Sequence, residues 1–295
     1  MSQIALDLLV GVFHRMPIKS GLTKLSFNRL LDWLMAGGAE FRPAQLRDGN
    51  WIEVKTNDYH GRILYLFGTN DPKVEQTANS LLEASDVFLD IGANYSSIGL
   101  SASHAVGSRG EVHLFEPQKA LADRVHAAIR AGGYANVRLH RCGLLDRDDK
   151  LILRSPSHHS GMATFAQSKR SASFEVVEVC EVKEISAYVG PLIAGRRFGA
   201  KLDIEGSEPA VMPWLLAQPN LSFLIFEAAS NQAKLYSAVK EAGLLLYGLK
   251  RHPLKLIASR VDHFDEMKAF HDLVAVRKSS GPKETHPRGL SQVTK

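Results

Sequence analysis

The stretch VFLDIGANYSSIGLSASHAVGSRGEVHLFEP, residues 87–117, constrains the fold more than any other part of the chain. A short apolar run ends on Asp90, and Gly92 marks a sharp turn. A helical pattern follows over 96–106, and a second apolar run ends on Glu116. Strand, turn, helix and strand in that order form the unit from which parallel sheets are wound, and ligands bind at the C-terminal edge of such sheets. The alternation continues along the chain. Strand-like runs lie at 137–142, 200–204 and 221–227, with helical patterns at 118–131, 207–217 and 230–242. The expected fold is therefore α/β, doubly wound around a mainly parallel sheet. LLLYGLK and HDLVAVRK, near the end, are candidates for a closing antiparallel pair.

The flanks read differently. Residues 1–47 are expected to be a helical extension ending in the turn-rich FRPAQLRDGN. WIEVKT (51–56) and GRILYLFG (61–68), separated by NDYH, suggest a hairpin. DPKVEQTANSLLEAS reads as a capped helix. Between 137–142 and 200–204 the chain inserts strand-like KLILRS (150–155) and FEVVEVCEV (174–182). The polar loop between them, PSHHSGMATFAQSKRSAS, reads as a lid or binding loop, with a mobile connector as the alternative. The expected organisation is an N-terminal extension 1–47, a domain 48–277 and a flexible tail 278–295.

Charge and cysteine content narrow the partners. Of the net +5, the tail holds +3, with Lys278, Lys283, Arg288 and Lys295 against Glu284, which leaves +2 for residues 1–277. No basic block with interleaved aromatics lies on the body, so no nucleic-acid partner is expected. Cys142 and Cys180 have no metal-ligand spacing, and a reduced cytoplasmic protein without disulfide or structural zinc is expected. The N-terminal apolar stretch lacks a basic leader and is interrupted by Asp7, and no run reaches the roughly 20 residues that span a bilayer. Ile4, Leu8, Val12 and Phe13 fall near helical spacing. Such a stripe packs on the body or on a second subunit, so a homo-oligomer through the N-terminal helices is one expectation.

The turn after Asp90 selects among cofactors. Where a Gly-x-Gly-x-Gly turn would continue from Gly92, this chain has Asn94 and Ser96. Gly92 removes a Cβ that would keep a ligand off the main chain. Asn94 tolerates left-handed backbone angles, and Ser96 or Ser97 can cap the helix. A dinucleotide needs close glycines and a free helix N-terminus for its pyrophosphate, which disfavours NAD and FAD and with them an NAD-dependent oxidoreductase. S-adenosylmethionine carries no phosphate. Its amino-acid end needs mixed donors and acceptors, which Asp90, Asn94 and neighbouring amides can supply, while Glu116 suits the two hydroxyls of a ribose.

A second anomaly is GAKLDIEGSEPAV, residues 199–211, in which Lys201, Asp203 and Glu205 alternate with Leu202 and Ile204. Such charges fit the ligand-binding edge of the sheet, since burying them without partners is costly, with an edge strand presenting a wet face as the alternative. Gly206 then permits a turn, Ser207 reads as an N-cap and Glu208 suits the positive end of the next helix. LSFLIFEAAS ends on Glu227, so Asp203, Glu205 and Glu227 are expected to converge. They would orient and deprotonate an acceptor hydroxyl or hold a divalent cation. No His or Asn spacing supports a cation, and no metal is expected. His158 and His159 are candidate bases, with idle exposed loop histidines as the alternative.

The motifs VFLDIGANYS (87–96), VHLFEPQ (112–118), NVRLHRCGLLDRD (136–148), SGMAT (160–164) and KLDIEGSEPAVM (201–212) together resemble the FkbM family of S-adenosylmethionine-dependent methyltransferases, over roughly residues 48–277. The resemblance implies a class I methyltransferase fold: a seven-stranded sheet, helices on both faces, and an antiparallel last strand. It implies methyl transfer, usually to a hydroxyl on a sugar or natural product, so the acceptor would be a small molecule or glycan. By position, Asp90, Gly92, Ala93, Asn94 and Tyr95 would line the methionine end. Glu116 and Pro117 would hold the ribose, and Cys142 and Gly143 would flank the adenine. Asp203 and Glu205 would face the methyl and the acceptor, with Asp203, Glu205, His158 and His159 as candidate bases. Ser96 departs from the family, which usually has glycine there. The alternative is a non-catalytic protein that keeps the fold and acts as a partner to another enzyme.

Overall fold

The computed structural model describes residues 3–16, 31, 35, 41–167, 171–228, 231–277 and 291–292. Helix α1 covers Gln3–Arg15. Strands β1 (Phe41–Gln45) and β2 (Trp51–Lys55) pair antiparallel as a small separate sheet. The helical expectation for 1–47 thus meets a helix at Gln3–Arg15 and fails at Phe41–Gln45. Most of 17–40 lies outside the described residues.

The expected hairpin of 51–56 with 61–68 is corrected. β2 pairs back to β1, and GRILYLFG lies in helix α2 (Tyr59–Phe67). Two local signals outweigh its aromatic and β-branched content. Asp58 caps the helix by accepting from the Gly61 amide, and Gly68 ends it at φ +69°, donating to the Leu64 carbonyl. Helix α3 (Pro72–Leu81) is capped as expected: Asp71 accepts from the amides of Lys73 and Val74, and Pro72 opens the first turn.

Beyond this point strands and helices alternate. β3 (Val87–Ile91), α4 (Ser97–Val106), β4 (Glu111–Phe115), α5 (Lys119–Gly132) and β5 (Val137–His140) come first. β6 (Gly143–Leu145), β7 (Asp149–Ser155), β8 (Glu175–Glu184) and α6 (Ile185–Ile193) follow. β9 (Phe198–Leu202), α7 (Glu208–Ala217), β10 (Leu221–Glu227), α8 (Gln232–Glu241) and β11 (Leu245–Lys250) complete most of the sheet. β12 (Ile257–Arg260), α9 (Phe264–Met267), β13 (Asp272–Val276) and β14 (Ser291–Gln292) close the chain.

The main sheet runs β5-β4-β3-β9-β10-β13-β11-β12-β14. The first five strands are parallel, and β13 is antiparallel to both of its neighbours, β10 and β11. The first seven positions reproduce the class I methyltransferase arrangement, with the last of those strands in sequence inserted antiparallel. The expected seven strands are nine among the described residues, because β12 adds to the free edge of β11 and β14 to that of β12. An edge covered in this way leaves fewer unpaired backbone groups on β11. Of the tail 278–295, only this β14 pair lies within the described residues.

Both faces of the sheet are covered. Phe88, Val112 and Leu114 pack with Val74, Leu100 and Val125 on one side. Leu89, Ile91, Ala200 and Leu202 pack with Val189, Leu215 and Leu235 on the other. Central parallel strands that are buried on both faces must be apolar throughout, which is why β3 reads as a continuous run broken only by Asp90. Truncating a side chain such as Leu89 to alanine would cost roughly 2–5 kcal/mol. β6, β8 and β7 form a separate three-stranded sheet, and the loop joining β7 to β8 returns to the C-terminal edge of the main one. Cys142 and Cys180 are free and buried. Among the described residues, no helix is long and apolar enough to cross a membrane.

Candidate active site

The turn after β3 is shaped by its neighbours. Gly92 sits at φ +77°, and a Cβ there would lie 1.8 Å from the Asp203 carbonyl oxygen. Besides the expected sharp turn, the glycine is therefore demanded by the backbone leaving β9. Asn94 and Ser96 take left-handed angles, φ +50° and +58°.

Helix α4 is capped in an unexpected way. Ser96 makes no side-chain cap bond, and the Ser97 hydroxyl accepts from the Asn70 amide instead. The cap comes from Asp90, whose Oδ2 accepts from the Gly99 amide at 3.0 Å. A Cβ on Gly99 would lie 2.9 Å from that same oxygen. Asp90 is fully buried, with Lys201 Nζ 3.3 Å from its other oxygen. Lys201 also donates to the Gly92 carbonyl at 2.9 Å and lies 3.5 Å from Asp203. Burial alone would lower the Lys201 pKa, but the carboxylates of Asp90 and Asp203 raise it, so the lysine stays charged.

Glu116, just past β4, is 2% exposed. Its Oε2 accepts from the Asn94 amide at 2.7 Å and its Oε1 from the Gln118 amide at 2.8 Å. Burial pushes its pKa up to about 7 against the opposing pull of those two amides.

A cavity of about 430 Å³ opens along these strand ends. That size suits a small organic ligand. Gly92, Ala93, Asn94, Glu116, Pro117, Gly143, His159, Asp203 and Glu205, all singled out in the sequence, line it together. Asp90, Tyr95, Cys142 and His158 do not. Asp90 faces α4, and the Tyr95 hydroxyl accepts from the Lys55 amide. Cys142 is a buried thiol with its pKa pushed up to about 11 by burial. His158 is exposed. Phe115, Leu144, Leu145, Leu153 and Phe165 give the cavity an apolar part of its lining. A Cβ on Gly143 would lie 2.7 Å from the Phe165 ring, so any larger residue there would push that ring aside.

Another part of the lining is acidic. One carboxylate oxygen each of Asp203, Glu205 and Glu227 lies within 4.8 Å of the others, the convergence expected from the strand ends. β9 stops at Leu202, so Asp203 and Glu205 project from the loop beyond it. Glu205 is held at φ +49°, and non-glycine residues in that region concentrate at functional sites. Ser207 makes no side-chain cap bond, contrary to expectation. Glu208 closes the turn instead, accepting from the Ile204 and Gly206 amides at 3.2 and 3.0 Å.

Two residues of this part escaped the sequence reading. His271 Nε2 lies 2.9 Å from Glu227 and its Nδ1 lies 3.5 Å from Asp272. Asp272 also pairs with the buried Lys73 at 2.6 Å. Asp272 and Glu227 together push the His271 pKa up to about 10, so the ring is an imidazolium at neutral pH. Burial, offset in part by His271, raises the Glu227 pKa. The three carboxylates offer oxygens for a divalent cation, but Lys201 and His271 already offset Asp203 and Glu227. Asp272 opens β13 and His271 directly precedes it, so the antiparallel insertion of β13 beside β10 brings both to this edge.

No protein-family model matches the chain, and no curated protein matches it significantly. Solved structures match at low similarity. Precorrin-6y C5,15-methyltransferase from Geobacter metallireducens is 11% identical, with a TM-score of 0.40, over 72% of this chain and 92% of that one. An S-adenosylmethionine-dependent O-methyltransferase from Thermotoga maritima is 11% identical, with a TM-score of 0.39, over 72% and 68%. Aeropyrum pernix fibrillarin with natively bound S-adenosylmethionine is 10% identical, with a TM-score of 0.38, over 81% and 84%. Likenesses this distant decide nothing about cofactor or substrate.

Proposed function

We propose that this chain is an S-adenosylmethionine-dependent methyltransferase that acts on a hydroxyl of a small molecule or glycan. One observation carries the cofactor. The Asp90 carboxylate already accepts from the Gly99 amide at the N-terminal end of α4, where a dinucleotide would place its pyrophosphate. A second anion there would meet a like charge, so the site suits an adenosine ligand without phosphate. In this reading Glu116, at the end of the adjacent strand, would hold the ribose, and Phe115, Leu144, Leu153 and Phe165, which line the same cavity, would take the adenine. Gly92, Ala93 and Asn94 are left for the amino-acid end. The motif resemblance favours the FkbM family within this class.

When bound, the cofactor supplies an electrophilic methyl on a cationic sulfur. The residues around it align an acceptor oxygen with that methyl, which is where most of the acceleration of such a transfer arises. They also remove the hydroxyl proton. Asp203, Glu205 and His159 line the cavity and remain candidates for that step, and Glu227 joins them. The exposed His158 stands outside the lining. A body of net charge +2 whose sequence holds no basic block with interleaved aromatics favours a small acceptor over RNA.

Calorimetry with S-adenosylhomocysteine tests this reading, with NADH as the control. S-adenosylhomocysteine is expected to bind, and Glu116→Ala and Asn94→Ala to weaken it. Binding of NADH alone would overturn the reading. Binding without methyl transfer to any of a broad panel of hydroxyl acceptors would favour the non-catalytic alternative.

A further inference from the structure

Asp58 lies outside the wound sheet, 7% exposed, yet its carboxylate joins two elements. Oδ2 accepts from the Gly61 amide at 2.9 Å, which caps α2, and from the Ser160 hydroxyl at 3.0 Å. Oδ1 accepts from the Ser160 amide at 2.6 Å. Ser160 belongs to the loop between β7 and β8 and lines the cavity.

The remaining polar atoms of Ser160 point to the proposed cofactor turn. Its hydroxyl oxygen accepts from Asn94 Nδ2 at 3.0 Å, and its carbonyl accepts from Gln118 Nε2 at 3.2 Å. Asn94 and Gln118 are the two residues whose amides hold Glu116. The loop is fixed nearby as well. The His158 carbonyl accepts from the Tyr59 amide at 2.9 Å, and the His159 ring stacks on Tyr59 with centroids 4.4 Å apart. At its far end the Thr164 hydroxyl donates to the Glu205 carbonyl at 2.7 Å. One loop thus ties α2, the turn after β3 and the acidic group together.

We propose that Asp58 is a positioning residue: it clamps the loop 156–165 over the cavity through Ser160, and the clamped loop in turn orders Asn94 and Gln118 for the adenosine ligand. This rests on the proposed cofactor site. A hydrogen bond to a buried carboxylate is stronger than a neutral one, so losing it should be felt at the ligand even though Asp58 does not line the cavity.

The test measures S-adenosylhomocysteine affinity and dissociation rate in the full chain for Asp58→Asn, Ser160→Ala and the double variant. Asp58→Asn keeps a side-chain oxygen for the Gly61 amide, so α2 retains its cap. Ser160→Ala leaves α2 untouched. Each single variant is expected to bind about tenfold more weakly, chiefly through faster dissociation. The double variant is expected to be no weaker than the poorer single one, since both cut one chain of bonds. Amide exchange across 158–163 should quicken in each variant. A merely structural role would lower the melting temperature and leave the ligand's dissociation rate unchanged. Unchanged affinity in both single variants, or losses that simply add, would overturn the clamp while the cofactor reading stood. An intact protein that bound no S-adenosylhomocysteine would remove that reading, and the clamp with it.

Discussion

Glu116 offers the sharpest quantitative prediction. It is a buried carboxyl with a pKa of about 7 in the folded chain, against about 4.3 for an unperturbed glutamate. The folded state therefore binds this proton more tightly than the unfolded chain. Its contribution to stability is fully present below about pH 4 and is lost as pH rises through 7. The gap of between two and three pH units, at 1.36 kcal/mol each, amounts to about 3 kcal/mol. Other groups titrate in the same range. His140, with its pKa lowered by burial to about 4, has the opposite sign, because stability is lost as pH falls below the unfolded value. The readout is therefore the difference between wild type and Glu116→Gln, measured by urea unfolding at half-unit steps from pH 4 to 8. The wild type should lose about 3 kcal/mol relative to the variant across that window. A difference that stays flat with pH would refute the argument and show that the Asn94 and Gln118 amides fully offset the burial. In the intact chain, S-adenosylhomocysteine should bind more tightly as pH rises through 7, because an ionised carboxylate is the better acceptor for ribose hydroxyls.

Other expectations follow from the same geometry. Gly92→Ala should destabilise the fold by roughly 3 kcal/mol, since both its left-handed angle and the Asp203 carbonyl oppose a Cβ; thermal unfolding checks this. His271→Ala should remove stability that the wild type holds below pH 6.5 and loses as pH climbs toward 10, visible as a flatter profile of melting temperature against pH. Glu227→Gln and Asp203→Asn should each lower turnover by roughly 100-fold if they share proton removal, with S-adenosylhomocysteine affinity changed little. Treatment with a chelator should leave turnover unchanged, because Lys201 and His271 already stand against the acidic group.

Much of the sheet was legible because buried parallel strands and amphipathic helices write different periods into a chain. The turn at Gly92, the acid at Glu116 and the meeting of Asp203, Glu205 and Glu227 all followed from strand ends, which a wound sheet brings to one edge. The misreadings have local causes. GRILYLFG looked like a strand by content, while Asp58 before it and Gly68 after it were unused cap signals. Phe41–Gln45 was hidden by Pro43, tolerable only because a two-stranded sheet leaves edges. Asp90 displaced Ser96 and Ser97 as the cap of α4, which no neighbour rule anticipates, since the capping oxygen arrives from the preceding strand. His271 and the bond between Asp58 and Ser160 depend on tertiary placement alone, and nothing periodic announces them.

The contact between Gly92 and the Asp203 carbonyl has a consequence for how such a protein can change. Two loops from adjacent strands touch backbone to backbone, with the Asp203 amide also donating to the Ile91 carbonyl at 3.0 Å. Neither can be widened without moving the other. A lineage that reshaped the acidic loop to admit a bulkier acceptor would disturb the cofactor turn in the same step. Diversification of such a site is therefore steered toward lining that this contact does not lock, such as the residues of α2 and α3 that border the cavity.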